Sequence, residues 1–189
     1  MKRITTHGMA VLLAAATTLS CGGGDAASVT TPGPSGSFFA SFTPDEPAPG
    51  DNSVNLSQAP GGGGNQVTVN VGVTGVNDVF GASFRMTYDP TLVGFDNWFQ
   101  GSLFEAAGKA ALYQVVLVSP GVVEVGVSCA GCTAGIDVAS TATIVQMVFS
   151  AIDNGNSTLD FAAAYLLDAQ SPPATIAGLT WDGGTLVAQ

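Results

Sequence analysis

Between residues 66 and 90 the chain alternates apolar and polar side chains in two runs either side of a short turn. In the first run Val67, Val69, Val71 and Val73 share one face, with Thr68, Asn70, Gly72 and Thr74 on the other. In the second, Phe80, Ala82, Phe84, Met86 and Tyr88 oppose Val79, Gly81, Ser83, Arg85 and Thr87. A period of two over that length predicts two antiparallel strands lying side by side, one face in a core and one in water. Gly75 and the Asn77-Asp78 pair supply the turn between them.

The same pattern continues along the chain. Val54 and Leu56 mark a short first strand over residues 53–57, and residues 92–99 form another extended segment. Residues 111–118 and 122–129 read as a hairpin through Ser119-Pro120-Gly121, with Val123, Val125 and Val127 facing inward. Residues 141–152, 158–167 and 179–187 complete a count of about nine strands, and short strands separated by turns describe a sandwich or jelly roll. Helical propensity is confined to residues 106–112.

The N-terminus reads differently. Lys2 and Arg3 precede a short apolar run over residues 9–16, which is too short to span a bilayer and reads as an export signal. Small residues follow, then Cys21 and three glycines. This resembles a bacterial lipoprotein signal, in which the cysteine is lipidated and becomes the mature N-terminus. The pattern departs in one place: Leu19 stands two residues before the cysteine, and Thr18 takes the position where such signals favour leucine. The alternative is an ordinary secretory signal with Cys21 a free thiol. The organisation expected is a signal over residues 1–20, a Gly/Ser/Thr/Pro-rich tether over 21–37 and a sandwich over 38–189. That places the protein outside the cytoplasm in the cell envelope, touching a membrane only through its lipid.

Composition narrows the function. The chain has 4 basic and 14 acidic residues, and charged residues make up only 10% of it. Removing the signal leaves Arg85 and Lys109 as the only basic side chains, which argues against nucleic acid and against an anionic lipid surface. The one histidine, His7, leaves with the signal, so the mature chain offers no Ser-His-Asp or Cys-His catalytic set and no imidazole ligand. The glycine loop at residues 59–65 lacks the Lys-Ser/Thr of a phosphate loop. The acids lie mostly in turns with Gly, Asn or Pro, a poor setting for a glycosidase pair. Residues 153–156 with Asp160 depart from calcium-loop spacing. Neither a metal nor a cofactor is expected, nor enzymatic activity. Cys129 and Cys132 are read as a disulfide closing a tight loop, since a strand rather than a helix leads into the pair and no second pair offers a zinc site.

At Gly81-Ala82-Ser83-Phe84-Arg85-Met86-Thr87-Tyr88-Asp89-Pro90 the chain resembles the cohesin domains and their relatives among carbohydrate-binding modules. A Val-rich strand precedes that motif, as it does in cohesins. Gly101-Ser102-Leu103-Phe104, the run from Ala164 to Ala169 and the close at Gly183-Gly184-Thr185-Leu186-Val187 add to the likeness, which covers about residues 54–187. The resemblance implies an all-β, nine-stranded antiparallel β-sandwich with jelly-roll topology that binds rather than catalyses. Cohesins dock a dockerin module through one sheet face, in the assembly of polysaccharide-degrading enzymes. By parity that face would carry Ser83, Arg85, Thr87 and Glu124.

Each candidate also has a plainer reading. Arg85 either anchors a partner or pairs with a neighbour such as Glu124. Trp98 either stacks on a sugar ring or caps the end of the core, while Phe99 takes the opposite face. The expectation is a lipid-anchored, cohesin-like module holding a protein partner. A carbohydrate-binding module on the same sandwich and a structural envelope lipoprotein are the alternatives.

Overall fold

The computed structural model describes residues 38–189. The expected signal, the tether and Cys21 lie outside the described residues. Thirteen strands and one short helix occupy them: β1 (Ala40–Pro44), β2 (Ser53–Gln58), β3 (Gln66–Thr74), β4 (Val76–Val79), β5 (Gly81–Thr87), β6 (Val93–Gln100), α1 (Ser102–Ala106), β7 (Ala110–Ser119), β8 (Val122–Ala130), β9 (Ile136–Val138), β10 (Ala142–Ala151), β11 (Gly155–Leu167), β12 (Thr180–Asp182) and β13 (Gly184–Ala188). One sheet has six strands in the order β1-β13-β11-β5-β8-β7, and the other has five in the order β12-β2-β3-β10-β6. Pairing is antiparallel throughout both sheets except between β12 and β2.

The core follows from the alternation. Val67, Val69, Val71 and Val73 of β3 are buried, as are Ala82, Phe84 and Met86 of β5 and Val123, Val125 and Val127 of β8. Val145, Met147 and Phe149 of β10 join them in one cluster with Leu159, Leu166 and Leu186. Aromatic rings meet edge to face within it, Phe84 on Phe161 at 5.4 Å and Tyr88 on Phe149 at 5.4 Å. Each side chain of this size buried stabilises the fold by about 1.5–3 kcal/mol. The all-β sandwich is therefore as expected, but its connectivity differs from the expectation in four places.

β3 and β5 do not lie side by side. They belong to opposite sheets and meet only through the core. Between them the chain turns at Gly75, which takes a left-handed φ of 63° with Asp51 packed where a side chain would start. It then leaves both sheets as β4, which pairs with β9 and adds Val76, Val79 and Val138 to the core. The Asp78 carboxylate fixes this excursion, accepting N–H bonds from Gly135 at 2.9 Å and Ala169 at 3.3 Å.

The last strand is also two strands. Residues 179–187 switch sheets at Gly183, so that β12 pairs with β2 while β13 pairs with β11 and β1. A Cβ on Gly183 would sit 2.6 Å from the Leu159 carbonyl oxygen, so only glycine allows the backbone this close.

The helix lies at Ser102–Ala106, before the stretch of high propensity, and Ala110 already begins β7. Burial of Leu103 and Phe104 places it there, and Gly101 N–H donates to the Ile144 carbonyl at 3.2 Å. Tertiary packing overrides the propensity of a short alanine-rich segment. Finally, β1 precedes the expected first strand, holding Phe42 in the core and pairing from Ala40 to Pro44 with β13. With β1, β4, β9 and the split terminal strand, nine expected strands become thirteen.

Candidate functional site

The outward face of the six-stranded sheet is built from β11, β5, β8 and β7, and register sets its rows. One row runs Tyr165, Ser83, Gly126, Gln114; the next runs Ala162, Arg85, Glu124, Val116; a third holds Asp160, Thr87 and Val122. Because Phe84, Met86, Val123 and Val125 take the core side, their neighbours Ser83, Arg85, Thr87 and Glu124 must point out. The structure thus brings all four sequence-predicted face residues together on two adjacent strands. β11 carries a register shift between Ala162 and Tyr165, with Ala163 at a φ of 48°, and this sets Tyr165 beside Ser83.

Arg85 and Glu124 form an ion pair with Nη2 and Oε2 2.9 Å apart, and Arg85 Nε donates to the same oxygen at 2.9 Å. Both side chains remain about half exposed, so the pair adds only about 0–1 kcal/mol to stability. What it does is orient a charged, two-sided hydrogen-bonding group at the centre of the face. Next to it Gly126 leaves open space where a side chain would project. The result is a depression of about 260 Å³ bounded by Ser83, Gln114, Val116, Val118 and Glu124.

Sequence reasoning missed the apolar flank of this face. Leu112, Val116 and Val118 on β7 are exposed there, and so is Tyr165 on β11, while the exposed Leu117 is in register with Val123 and takes the other side of the sheet. A signal existed in the run Val115-Val116-Leu117-Val118, which breaks alternation where a half-buried strand would keep it.

Trp98 lies elsewhere. It sits on β6 in the five-stranded sheet, half-buried against the core, with its ring stacked on Tyr113 at 5.6 Å and 30°. Phe99 points the other way and is 51% exposed. Register places Phe99 beside Gln146, whose Nε2 donates to Asn70 Oδ1 at 2.8 Å. Cys129 and Cys132 are joined by a disulfide at the end of β8, with their Cα atoms 5.7 Å apart.

Among the described residues, three groups have displaced proton affinities. Burial pushes the phenols of Tyr88 and Tyr113 up. The Asp89 carboxyl is pulled down by the Thr91 hydroxyl, which donates at 2.7 Å, and by the Thr91 N–H at 2.9 Å. These belong to the Tyr-Asp-Pro turn and to the β6–β7 side of the sandwich, away from Arg85. Chemically, the Arg85 face offers hydrogen bonds, one neutralised charge pair and apolar contact.

The model of the cohesin domain family matches residues 53–186. The type II cohesin dyad from the adaptor ScaA scaffoldin of Acetivibrio cellulolyticus has a similar fold, with a TM-score of 0.58 at 12% identity. That match covers 72% of this chain and 48% of the dyad, so the chain spans about half of that protein. The sixth cohesin of scaffoldin B from the same organism, solved in complex with a Cel5 dockerin mutant, matches at a TM-score of 0.54 and 15% identity, over 71% of this chain and 95% of that one. A type II cohesin–X-dockerin complex, also from Acetivibrio cellulolyticus, matches at 0.53 and 15%, over 68% and 92%. At such identities the likeness to these structures is one of fold. No curated protein matches the chain.

Proposed function

The chain belongs to the cohesin domain family, a family of non-catalytic protein-binding modules, and from that premise we propose that it docks a dockerin-type module on the outward face of its six-stranded sheet. Ser83, Arg85, Thr87 and Glu124 would make the polar contacts, and Tyr165 and the β7 side chains the apolar ones. The observation that carries this reading is the make-up of the face. A purely solvated sheet face would be polar throughout, whereas this one surrounds the Arg85–Glu124 pair with exposed Tyr165, Leu112 and Val116. A small apolar patch around an oriented charge pair is what a specific protein interface needs. Dockerin modules accompany two of the similar structures, which supports a partner of that class.

The test is calorimetric titration of the full chain with type I and type II dockerin modules. Saturable binding that weakens on Arg85→Ala supports the reading, and no heat with any dockerin contradicts it.

We also propose that residues 1–20 direct export, that Cys21 carries a lipid, and that residues 21–37 link it to the sandwich. The support is the sequence of Lys2 and Arg3, an apolar run, then Cys21. Detergent partition of the native chain, with the Cys21→Ser chain left in the aqueous phase, is the expected result. A polysaccharide ligand is the second reading. Its supporting observation is Phe99, an exposed ring beside the Asn70–Gln146 amides and adjacent in sequence to Trp98. Retention on polysaccharide that is lost on Phe99→Ala would favour it, and loss only on Trp98→Ala would report on the core against which that ring packs.

A further inference from the structure

We propose that β7 is the seam of a homodimer, pairing antiparallel with β7 of a second copy so that two six-stranded sheets become one. Among the described residues β7 is the outermost strand of its sheet, ten residues long, with β8 as its only strand partner. An antiparallel edge strand turns the N–H and C=O groups of alternate residues away from its neighbour. Among the described residues, no backbone bond outside the β7–β8 ladder engages residues 110–119.

The other edges are guarded in the ways proteins prevent edge-to-edge pairing. β1 has five residues and ends in Pro44, β12 has three, and β6 carries Asp96 near its middle. β7 has neither proline nor charge. It also carries Leu112, Val116, Leu117 and Val118, which are half of the eight large hydrophobic side chains exposed among the described residues.

Two features favour a second copy as the occupant. The first is charge. The chain holds 14 acidic and 4 basic residues, so copies repel one another over most of their surface. The uncharged β7 edge is where that repulsion is least, and Glu124, in register with Val116, is already neutralised by Arg85. The second is self-complementarity. With a two-fold axis at Gln114, each outward Leu112 meets the other copy's Val116, each Val118 meets Ala110, and the two Gln114 amides meet at the axis. An isologous contact requires this reciprocity. A helical partner lying on the sheet face would leave the edge backbone groups without partners, whereas a second strand satisfies them.

The two-fold stands perpendicular to the sheet, so both outward faces remain on one side. The dimer then presents two Arg85–Glu124 faces on one surface, and a partner with two docking modules gains avidity without new contacts.

The test is sedimentation of the full chain carrying Cys21→Ser, so that lipid plays no part, across a concentration series at low and high salt. The expected result is a doubling of mass with concentration, favoured by salt as repulsion is screened. Val116→Lys and Leu112→Lys should each return the monomer. Val116→Lys, on the exposed side of the strand, should do so with its melting transition intact. Under mild oxidation Gln114→Cys should give a covalent dimer and Asp153→Cys should not. A chain that stays monomeric at every concentration overturns the proposal, as does a dimer that survives both β7 substitutions.

Discussion

Arg85 on β5 and Glu124 on β8 face each other directly across neighbouring strands, and their side chains close to 2.9 Å on the outward face of the six-stranded sheet. Both are about half exposed. Removing either should hardly affect the fold, because exposed pairs contribute about 0–1 kcal/mol. If the pair lies at the centre of a docking surface, the effect on binding is larger. Arg85→Ala should leave the melting temperature nearly unchanged and weaken dockerin binding by about tenfold or more, the scale of a central interface residue. A large fall in stability with binding unaltered would assign the pair to the fold alone.

Phe84 tests the core. Its ring is buried against Phe161 and tilts towards Trp181 at 6.2 Å, which ties β5 to β11 and to the β12 segment. Phe84→Ala should cost about 3–5 kcal/mol in chemical denaturation, as large-to-small changes in packed cores do. Thr87→Ala, two strand positions from the Arg85 pair on the wet side, should cost little. Equal effects at the two positions would contradict the assignment of faces.

The Cys129–Cys132 disulfide closes a short loop between β8 and β9. Cross-linking residues only 3 apart in sequence restricts the unfolded chain little. β8 is meanwhile held independently by its ladders to β5 and β7. Reduction should therefore raise hydrogen exchange in the loop at residues 130–135 and shift the melting temperature only slightly. A collapse of the whole transition under reductant would show that the link holds the sandwich itself.

Stability should fall at both ends of the pH scale. Burial raises the Tyr88 and Tyr113 phenols above the ordinary value near 10, so the unfolded chain releases these protons first. Their stabilisation is complete below about pH 10 and is lost as pH rises through the folded values. Asp89 has the opposite sign. The Thr91 hydroxyl and N–H lower its pKa, so its contribution is present above about pH 4 and is lost as pH falls. Because Asp89 is fully exposed, the acid limb from this residue is shallow. A melting-temperature series should show a plateau between the two limbs, and Tyr88→Phe should reduce the alkaline loss. An alkaline limb unchanged in Tyr88→Phe and Tyr113→Phe would contradict the origin given.

Faces were legible in the sequence, while neighbours were not. The parity that placed Val67, Phe84 and Val123 inward and Ser83, Arg85 and Glu124 outward is a local property of an extended backbone. Which strands lie adjacent depends on turns whose outcome rests on distant contacts. The bend at Gly75 needs Asp51 beside it, and the course of β4 needs Gly135 and Ala169 to donate to Asp78. The sheet switch at Gly183 was hidden for the same reason, since the Leu159 carbonyl that demands glycine is far away in sequence. β1 went unread because Phe42 is the only buried position in a short strand rich in small residues. The exposure of Leu112 and Val116 went unread because an apolar run does not reveal whether it is covered. That depends on β7 being the last strand of its sheet.

The docking claim is tested most directly by mapping a bound dockerin module on the full chain with backbone amide shifts or hydrogen exchange. The account predicts that changes concentrate on β5, β8, β7 and β11, centred on Ser83, Arg85, Glu124 and Gly126, with the five-stranded sheet unaffected. A footprint on β6 and β10 around Phe99 and Gln146, with the Arg85 face unchanged, would contradict it.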